Sequence, residues 1–328
     1  MKTRLLYVLV SSGDDVYLEQ AFVSATSARL RNPEACILLL TDRPTADSLP
    51  DRGPVGKAFK ALFTEVIVAD DIDPALSPMK RSRLLKTGMR DYVKGDFLFI
   101  DADTVVARSL EDIDAVEAPL AACLDLHAPF AVHPHRDATI NMCRKLGFDA
   151  GGVEHYFNSG VMLVRDTPRN HAFFKAWQKN YLEGCSSGIW PDQPSLAKTL
   201  AEEKITMALL KDEWNCEVQN GVRYLGDAYI VHYMVTNVGG GPQDALFLLN
   251  DKKALLAVRE AGGITAAVEA VIKNPHHGYA PVTQVFAGDD LYLFQSRRYR
   301  WLRNHFRPGG WSFLEFLLKV RDHLFHKV

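Results

Sequence analysis

The sequence predicts an α/β fold in which helices cover a mostly parallel sheet, and three observations support this prediction. Strand-like and helix-like segments alternate over the first 110 residues, as they do in parallel sheets flanked by helices. The apolar run at 97–100 follows Lys94-Gly95-Asp96 and leads into two acids, which is typical of a strand buried on both faces. With 328 residues and 47% apolar composition, the chain can bury one large core with an appended subdomain.

The period of the apolar positions predicts the individual elements. Short apolar runs predict strands at Leu5–Ser11, Cys36–Thr41, Val66–Ala69, Phe97–Ile100, Val161–Val164 and Tyr229–His232. Helical spacing predicts helices at Val16–Arg31, Arg81–Val93, Ala138–Leu146, Asn170–Leu182, Gln193–Ala201, Ala245–Ala261 and Thr265–Lys273. Residues 119–152 are rich in His, Pro, Asp and Gly and predict an irregular excursion, a feature that usually serves a site.

Charge is unevenly distributed, although the net charge is only −2. Residues 296–328 contain eight Lys and Arg against two acidic residues, together with seven aromatic residues. Such a segment suits an anionic membrane surface, and a terminal helix docked on the domain is the alternative. We expect no nucleic-acid partner, because the rest of the surface is acidic and repels a polyanion.

Cysteine usage and hydropathy favour a cytoplasmic location. The five cysteines are odd in number, scattered and free of C-x-x-C spacing, so they indicate neither a disulfide framework nor a zinc site. No apolar run approaches the roughly 18 residues of a membrane helix, and Leu5–Val10 is too short for a signal peptide.

Asp101 and Asp103 are the first candidate site residues. They follow the buried strand at the edge of the sheet where open α/β folds bind ligands. Side chains two apart on an extended chain point to the same side, so both carboxylates can bind one hard cation. The alternative is a solvated turn, in which Asp is also common.

Three later segments accompany Asp101-Ala102-Asp103. They are Tyr156-Phe-Asn-Ser-Gly-Val-Met-Leu-Val164, Pro191-Asp-Gln-Pro-Ser-Leu196 and Ile230-Val-His-Tyr233. In this order, over roughly residues 4–240, the motifs resemble those of nucleotide-sugar glycosyltransferases with the GT-A fold, most closely glycosyltransferase family 8. The resemblance implies a GT-A domain over 1–244, a helical extension over 245–295 and a basic, aromatic tail over 296–328.

The resemblance implies a metal-dependent enzyme that moves a hexose from a UDP-linked sugar to a hydroxyl of a glycan or glycolipid, with retention. Asp101, Asp103 and His232 would bind Mn²⁺ or Mg²⁺, and the mixed oxygen and imidazole ligands favour Mn²⁺. The cation would stabilise the leaving diphosphate as a Lewis acid. His232 alone is more often a buried structural histidine than a ligand.

The resemblance also indicates donor-binding and catalytic residues, with Asn237 included as a replacement for a phosphate contact that the chain lacks. The donor-binding set is Ser11, Ser12, Asp14, Asp15, Tyr17, Arg83, Lys86, Asp101, Ala102, Asp103, Ser159, Gly160 and Asn237. The catalytic set is Asn158, Asp192 and Gln193. Structural alternatives stay open: Asn158 as a turn cap, Asp192 as an N-cap, and Arg83 with Lys86 as part of an exposed basic helix.

Two departures from the family pattern leave other functions open. Family 8 members commonly carry a phosphate-binding lysine after the metal histidine, whereas Tyr233 and the residues after it include no lysine until 252. Either Asn237 and the glycine-rich backbone at 239–241 would then bind the phosphates, or another basic side chain would, or the domain binds a nucleotide without turnover. An inverting relative would need a carboxylate base, for which Asp125, Asp137 and Asp192 are candidates.

A phosphatase of the haloacid-dehalogenase type is the alternative from another enzyme class. There Asp101 would be the nucleophile and Asp103 the acid or base, with Gly288-Asp289-Asp290 as the late acidic motif. Such motifs usually follow the first strand, whereas a hundred residues precede this one.

Overall fold

A central sheet organises the chain, seen here in a computed structural model. The structure describes residues 1–233, 247–277, 296–299, 301 and 320. Asn237, the glycines at 239–241, the motif at 288–290 and most of the tail at 296–328 lie outside the described residues.

The described elements agree with the predicted alternation of strands and helices. The strands are β1 (Arg4–Leu9), β2 (Ile37–Asp42), β3 (Glu65–Ala69), β4 (Phe97–Ile100), β5 (Thr104–Val106), β6 (Leu120–Leu124), β7 (Phe157–Val164), β8 (Ala208–Leu209), β9 (Cys216–Glu217) and β10 (Ile230–His232). The helices are α1 (Tyr17–Arg31), α2 (Arg43–Ser48), α3 (Gly53–Lys60), α4 (Pro78–Tyr92), α5 (Arg136–Lys145), α6 (Pro168–Ser186), α7 (Gln193–Glu202), α8 (Val218–Gly221), α9 (Lys252–Ala261) and α10 (Ala266–Lys273).

Seven strands form the main sheet in the order β3-β2-β1-β4-β7-β6-β8. All neighbouring pairs are parallel except those of β7, which runs antiparallel to β4 and β6. The prediction of a mostly parallel sheet is therefore confirmed. Strands β5, β10 and β9 form a second, three-stranded sheet in that order.

Helices cover both faces of the main sheet because successive side chains of a strand point in opposite directions. Leu5 and Tyr7 of β1 join the core shared with α1 and α3, whereas Leu6 joins the core shared with α4 and α6. Strand β4 is buried along its whole length, as the apolar run predicts.

Two local expectations differ from the structure. Asn158, Ser159 and Gly160 were expected to precede a strand, but β7 begins at Phe157 and contains all three. The excursion at 119–152 contains a regular strand, β6, whose alanine-rich sequence lacks the β-branched residues that mark strands.

Contacts divide the chain into two compact units, residues 1–281 and 282–328. Helices α9 and α10, which lie in the predicted helical extension, belong to the first unit and pack against α1. Among the described residues, no helix has the length and apolar character needed to cross a bilayer.

Candidate functional site

The candidate site lies at the carboxyl edge of the main sheet. The parallel strands β1 and β4 both end at this edge, which brings the loop after β1 near Asp101. Strand β7 runs the opposite way, so its first residues lie at the same edge. The backbone N–H of Asp101 donates to the carbonyl of Gly160 at 2.7 Å and joins the two motifs.

Asp101, Asp103 and His232 converge at this edge. The two aspartates lie in a turn between β4 and β5 rather than on an extended strand. Strand β5 pairs antiparallel with β10, which places His232 opposite Thr104. One ligand atom from each of the three side chains lies within 4.8 Å of the others. The pairing of β5 with β10 therefore brings His232 to the two aspartates. The side-chain direction along one strand does not bring the three residues together by itself.

Two hydrogen bonds fix the His232 ring. Its Nε2 lies 3.1 Å from Oδ1 of Asp103, and its Nδ1 lies 2.9 Å from Oδ1 of Asn215. Asn215 is fully buried and donates in turn to Oδ1 of Asn158 at 3.0 Å. Such outer contacts commonly set the orientation of a metal-binding histidine.

Burial and neighbouring charges perturb the three groups in different directions. Burial alone raises the pKa of Asp103, but the charge and hydrogen bond of His232 outweigh it and lower that pKa to about 2. For Asp101 desolvation wins over the charge of Lys86, so its pKa is raised. For His232 burial acts to lower the pKa, but the neighbouring Asp103 raises it above its usual value.

Gly160 supplies the space in which these side chains meet. A Cβ at this position would lie 2.5 Å from Cε1 of His232, 2.8 Å from Oδ1 of Asn158 and 3.0 Å from Oδ2 of Asp101. Any side chain at residue 160 would therefore force the cluster apart. The absence of a side chain at Gly160 therefore lets the β7 backbone lie close to these three groups.

Two basic residues of α4 face the acids. Nζ of Lys86 lies 3.0 Å from Oδ2 of Asp101 and 3.7 Å from Oδ2 of Asp192, and Nε of Arg83 lies 3.4 Å from Oδ1 of Asp192. Lys86 is 3% exposed, so an exposed basic helix is not what the structure contains here. Arg81 and Arg90 of the same helix are also buried and pair with Asp42 and Asp166.

Asp192 occupies the N-cap position of α7, but its side chain makes no capping hydrogen bond. Its Oδ2 accepts instead from Oγ of Ser159 at 2.7 Å. Burial raises the pKa of Asp192, but the charges of Lys86 and Arg83 outweigh this effect and hold the pKa well below its usual range. Asp192 is thus an ionised carboxylate that faces the site.

Asp125 lies at the centre of a second buried network. Its Oδ1 accepts from Asn158 at 3.0 Å and from Nε2 of Gln193 at 2.7 Å, and its Oδ2 lies 2.9 Å from Nε2 of His133. Asn158 also accepts the backbone N–H of Gly160 at 2.7 Å. Asn158, which lies within β7, therefore connects this network through Asn215 to His232.

The loop between β1 and α1 is organised by Asp15. Its carboxylate accepts from Oγ of Ser11 at 2.7 Å, from the backbone N–H of Ser12 at 2.6 Å and from that of Tyr17 at 3.0 Å. Asp14 is exposed, and so is 45% of Tyr17. Asp15 therefore shapes the loop, while Asp14 and Tyr17 face solvent.

Comparison with known proteins agrees with this architecture. Residues 84–241 match the profile of the nucleotide-diphospho-sugar transferase family. The structure of the galactosyltransferase LgtC with donor and acceptor sugar analogues is 15% identical and superposes with a TM-score of 0.50, covering 79% of this chain and 96% of that one.

The protein has a GT-A fold. Two further structures are similar. Mouse xyloside xylosyltransferase 1 is 13% identical, covers 75% of this chain and 99% of its own, and has a TM-score of 0.46. The glycosyltransferase GlyE of Streptococcus pneumoniae TIGR4 is 16% identical, covers 87% of this chain and 67% of its own, and has a TM-score of 0.47. No curated protein sequence matches the chain significantly.

Asp101, Asp103 and His232, here called the metal-ligand cluster, fit a divalent cation. Their carboxylate oxygens and imidazole nitrogen lie close enough to bind one ion, and Mn²⁺ accepts such a mixed set. Ala102 lies in the turn between the two aspartates and lines, with Asp103, a cavity of about 10 Å³.

Sequence reasoning did not identify Asn215, and it treated Asp125 only as a possible base. Asn215 follows Trp214 without a recognisable motif, and its role depends on contacts with His232 and Asn158, which are distant in the chain. His133 was noticed only for the composition of its segment. Its hydrogen bond to Asp125 spans eight residues of irregular chain and has no sequence period.

Proposed function

We propose that the protein is a metal-dependent glycosyltransferase that moves a hexose from a UDP-linked sugar to a hydroxyl of a glycan or glycolipid. The convergence of Asp101, Asp103 and His232 beside Lys86 and Arg83 carries this proposal. The site offers acids and an imidazole for a cation, and basic groups for an anionic leaving group.

Asp101, Asp103 and His232 would bind Mn²⁺ or Mg²⁺. The bound cation supplies Lewis-acid stabilisation to the diphosphate that leaves when the glycosidic bond breaks. The hydrogen bond from His232 to Asn215 keeps Nε2 directed at the cluster. Gly160 leaves room for the histidine ring.

Lys86 and Arg83 would bind the donor phosphates in place of the lysine that follows the metal histidine in family 8. Both are held close to the cluster by Asp101 and Asp192. An arginine and a lysine provide two positive charges against a diphosphate. Asn237 and the glycines at 239–241 remain proposed phosphate contacts.

Asp192, Gln193 and Asn158 would surround the sugar. Ionised Asp192 sits beside the cationic pair, where it can face the positive charge that develops at an anomeric carbon. Gln193 and Asn158 orient the Asp125 carboxylate through hydrogen bonds. We place the acceptor hydroxyl near Asp125, with the 125–152 segment as the acceptor-binding wall.

The stereochemical outcome and the location are parts of the same proposal. We propose retention, with the leaving phosphate assisting deprotonation of the acceptor; Asp125 is the candidate base for an inverting enzyme. The basic, aromatic segment at 296–328 would attach a cytoplasmic protein to an anionic membrane.

A thermal-shift panel tests the donor part of the proposal. UDP, GDP, ADP and UDP-hexoses are added with and without Mn²⁺, and a ligand at 100 times its dissociation constant stabilises by about 2.7 kcal/mol. We expect UDP ligands to stabilise only with Mn²⁺, and Asp103→Asn to remove the effect. Stabilisation by UDP that is equal in the wild type and in Asp103→Asn would contradict the metal assignment.

Hydrolysis of UDP-hexoses without acceptor separates a transferase from a nucleotide-binding protein without activity. We expect slow, Mn²⁺-dependent release of free hexose from the wild type. Tight UDP binding without any release would favour the binding protein. Release of phosphate from p-nitrophenyl phosphate would favour the phosphatase, for which the GT-A fold offers no support.

A further inference from the structure

Arg259 of α9 contacts the loop that follows β1, although the two are far apart in the chain. Its Nη1 donates to the carbonyl of Gly13 at 3.1 Å, and its Nη2 donates to the carbonyl of Asp15. Its Nε and Nη2 also bind the two carboxylate oxygens of Glu19, each at 2.8 Å. One guanidinium therefore joins α9, the loop and the first turn of α1.

The loop needs such an external contact because its own hydrogen bonds hold only part of it. Asp15 binds Ser11, Ser12 and the N–H of Tyr17 through its carboxylate. The carbonyl groups of Gly13 and Asp15 accept their hydrogen bonds from Arg259 instead. A Cβ at Gly13 would meet no heavy atom within 4 Å, so packing does not restrain the tip.

Glu19 gives Arg259 a fixed anchor. Glu19 is 1% exposed, and its carboxylate binds the guanidinium through both oxygens. A bidentate pair holds the plane of the guanidinium and leaves N–H groups for the two carbonyls. A lysine ammonium cannot span the same four acceptors.

The same helix also reaches the metal-ligand cluster. Leu255 of α9 lines a small cavity together with Gln20 of α1 and Asp103. Arg259 lies one helical turn further along α9. Helix α9 thus contacts both the loop and the surroundings of Asp103.

We propose that Arg259 is a positioning residue for nucleotide binding, and that it sets the conformation of the 11–17 loop against the base. Helix α9 is then part of the donor site and not a separate extension. This inference rests on the proposed function, in which the nucleotide binds at the carboxyl edge of the main sheet, where the 11–17 loop follows β1.

The test compares Arg259→Ala and Arg259→Lys with Arg31→Ala. Arg31 is a matched control, because it joins α1 to the same extension through the carbonyls of Ile272 and Lys273 at 3.3 and 2.7 Å but does not touch the loop. Dissociation constants for UDP, GDP and ADP with Mn²⁺ are measured by calorimetry, and melting temperatures are measured in parallel.

We expect both Arg259 variants to bind the preferred nucleoside diphosphate about tenfold more weakly, which corresponds to about 1.4 kcal/mol. The differences in affinity among UDP, GDP and ADP should also become smaller. Arg31→Ala should lower the melting temperature and keep the wild-type affinities and the differences among them. Arg259→Lys provides the test if Arg259→Ala does not fold.

Unchanged nucleotide affinities, with unchanged differences among them, in a folded Arg259 variant would overturn the inference. Equal losses of affinity in Arg31→Ala and Arg259→Lys would also overturn it, since general packing would then explain both. Failure of the wild type to bind any of the three nucleotides would instead refute the proposed function, so the two failures are distinguishable.

Discussion

Replacing Gly160 with alanine tests whether the packing at the centre of the site holds the proposed metal ligands in place. The new Cβ would lie 2.5 Å from Cε1 of His232, whereas carbon atoms in contact are normally about 3.5–4.0 Å apart. The imidazole must therefore shift by roughly 1 Å. Metal–ligand distances tolerate only about 0.2 Å, so the shifted ring no longer completes the cluster.

The expected magnitude follows from two separate costs. Overpacking in a tight interior costs about 1–3 kcal/mol of folding free energy. Disturbing the orientation of a metal ligand weakens binding roughly 10- to 100-fold. At a Mn²⁺ concentration of 100 times the wild-type dissociation constant, stabilisation by the ion would fall from about 2.7 to about 0.4–1.4 kcal/mol.

Chemical denaturation with and without Mn²⁺ measures both costs. Gly226→Ala is the matched control, because a Cβ at Gly226 would meet no heavy atom within 4 Å. It should keep the full Mn²⁺-dependent stabilisation. If Gly160→Ala also keeps the full Mn²⁺-dependent stabilisation, the position of the His232 ring does not govern metal binding, and the reasoning is refuted.

Three other predictions follow from the same contacts. Asp192→Asn keeps the size of the side chain but removes the charge that faces Lys86. Turnover should fall roughly 100-fold with little change in nucleotide affinity. A fall in melting temperature without loss of turnover would favour a structural role for Asp192. Binding of Mn²⁺ to His232 must displace a proton, because the pKa of His232 is raised. The affinity for Mn²⁺ should therefore increase about tenfold per pH unit until the pH passes that pKa. A Mn²⁺ affinity that calorimetry finds independent of pH would exclude His232 as a ligand. Glu217→Ala removes the buried acceptor of the Leu126 N–H, 3.1 Å away, and should cost about 1–3 kcal/mol in denaturant unfolding, whereas Glu217→Gln should retain most of the stability.

Much of the fold could be predicted because it depends on local sequence patterns. The apolar run before Asp101 and the helical period of α4 predict a buried strand and its covering helix, and both exist. The start of β7 was placed too late. Asn158 and Gly160 interrupt its apolar pattern, and both lie against polar side chains at the edge of the sheet, where contacts outweigh strand propensity.

The candidate site was predicted only in part, because only some of its residues belong to recognisable sequence motifs. Asp101, Asp103 and His232 are recognisable because family motifs keep their order along the chain. Asn215 and Arg259 carry no such signal. Asn215 contacts the His232 ring and Arg259 contacts the Asp15 carbonyl, and only folding brings these partners near.

The sequence alone determined the α/β class, the carboxylates at the end of β4 and the late histidine, because apolar period and motif order are properties of neighbouring residues. Tertiary structure decided which groups meet. The pairing of β5 with β10 brings His232 to Asp103, and the packing of α9 on α1 brings Arg259 to the loop at 11–17. Both contacts join residues more than a hundred positions apart, and a linear pattern does not encode such distances.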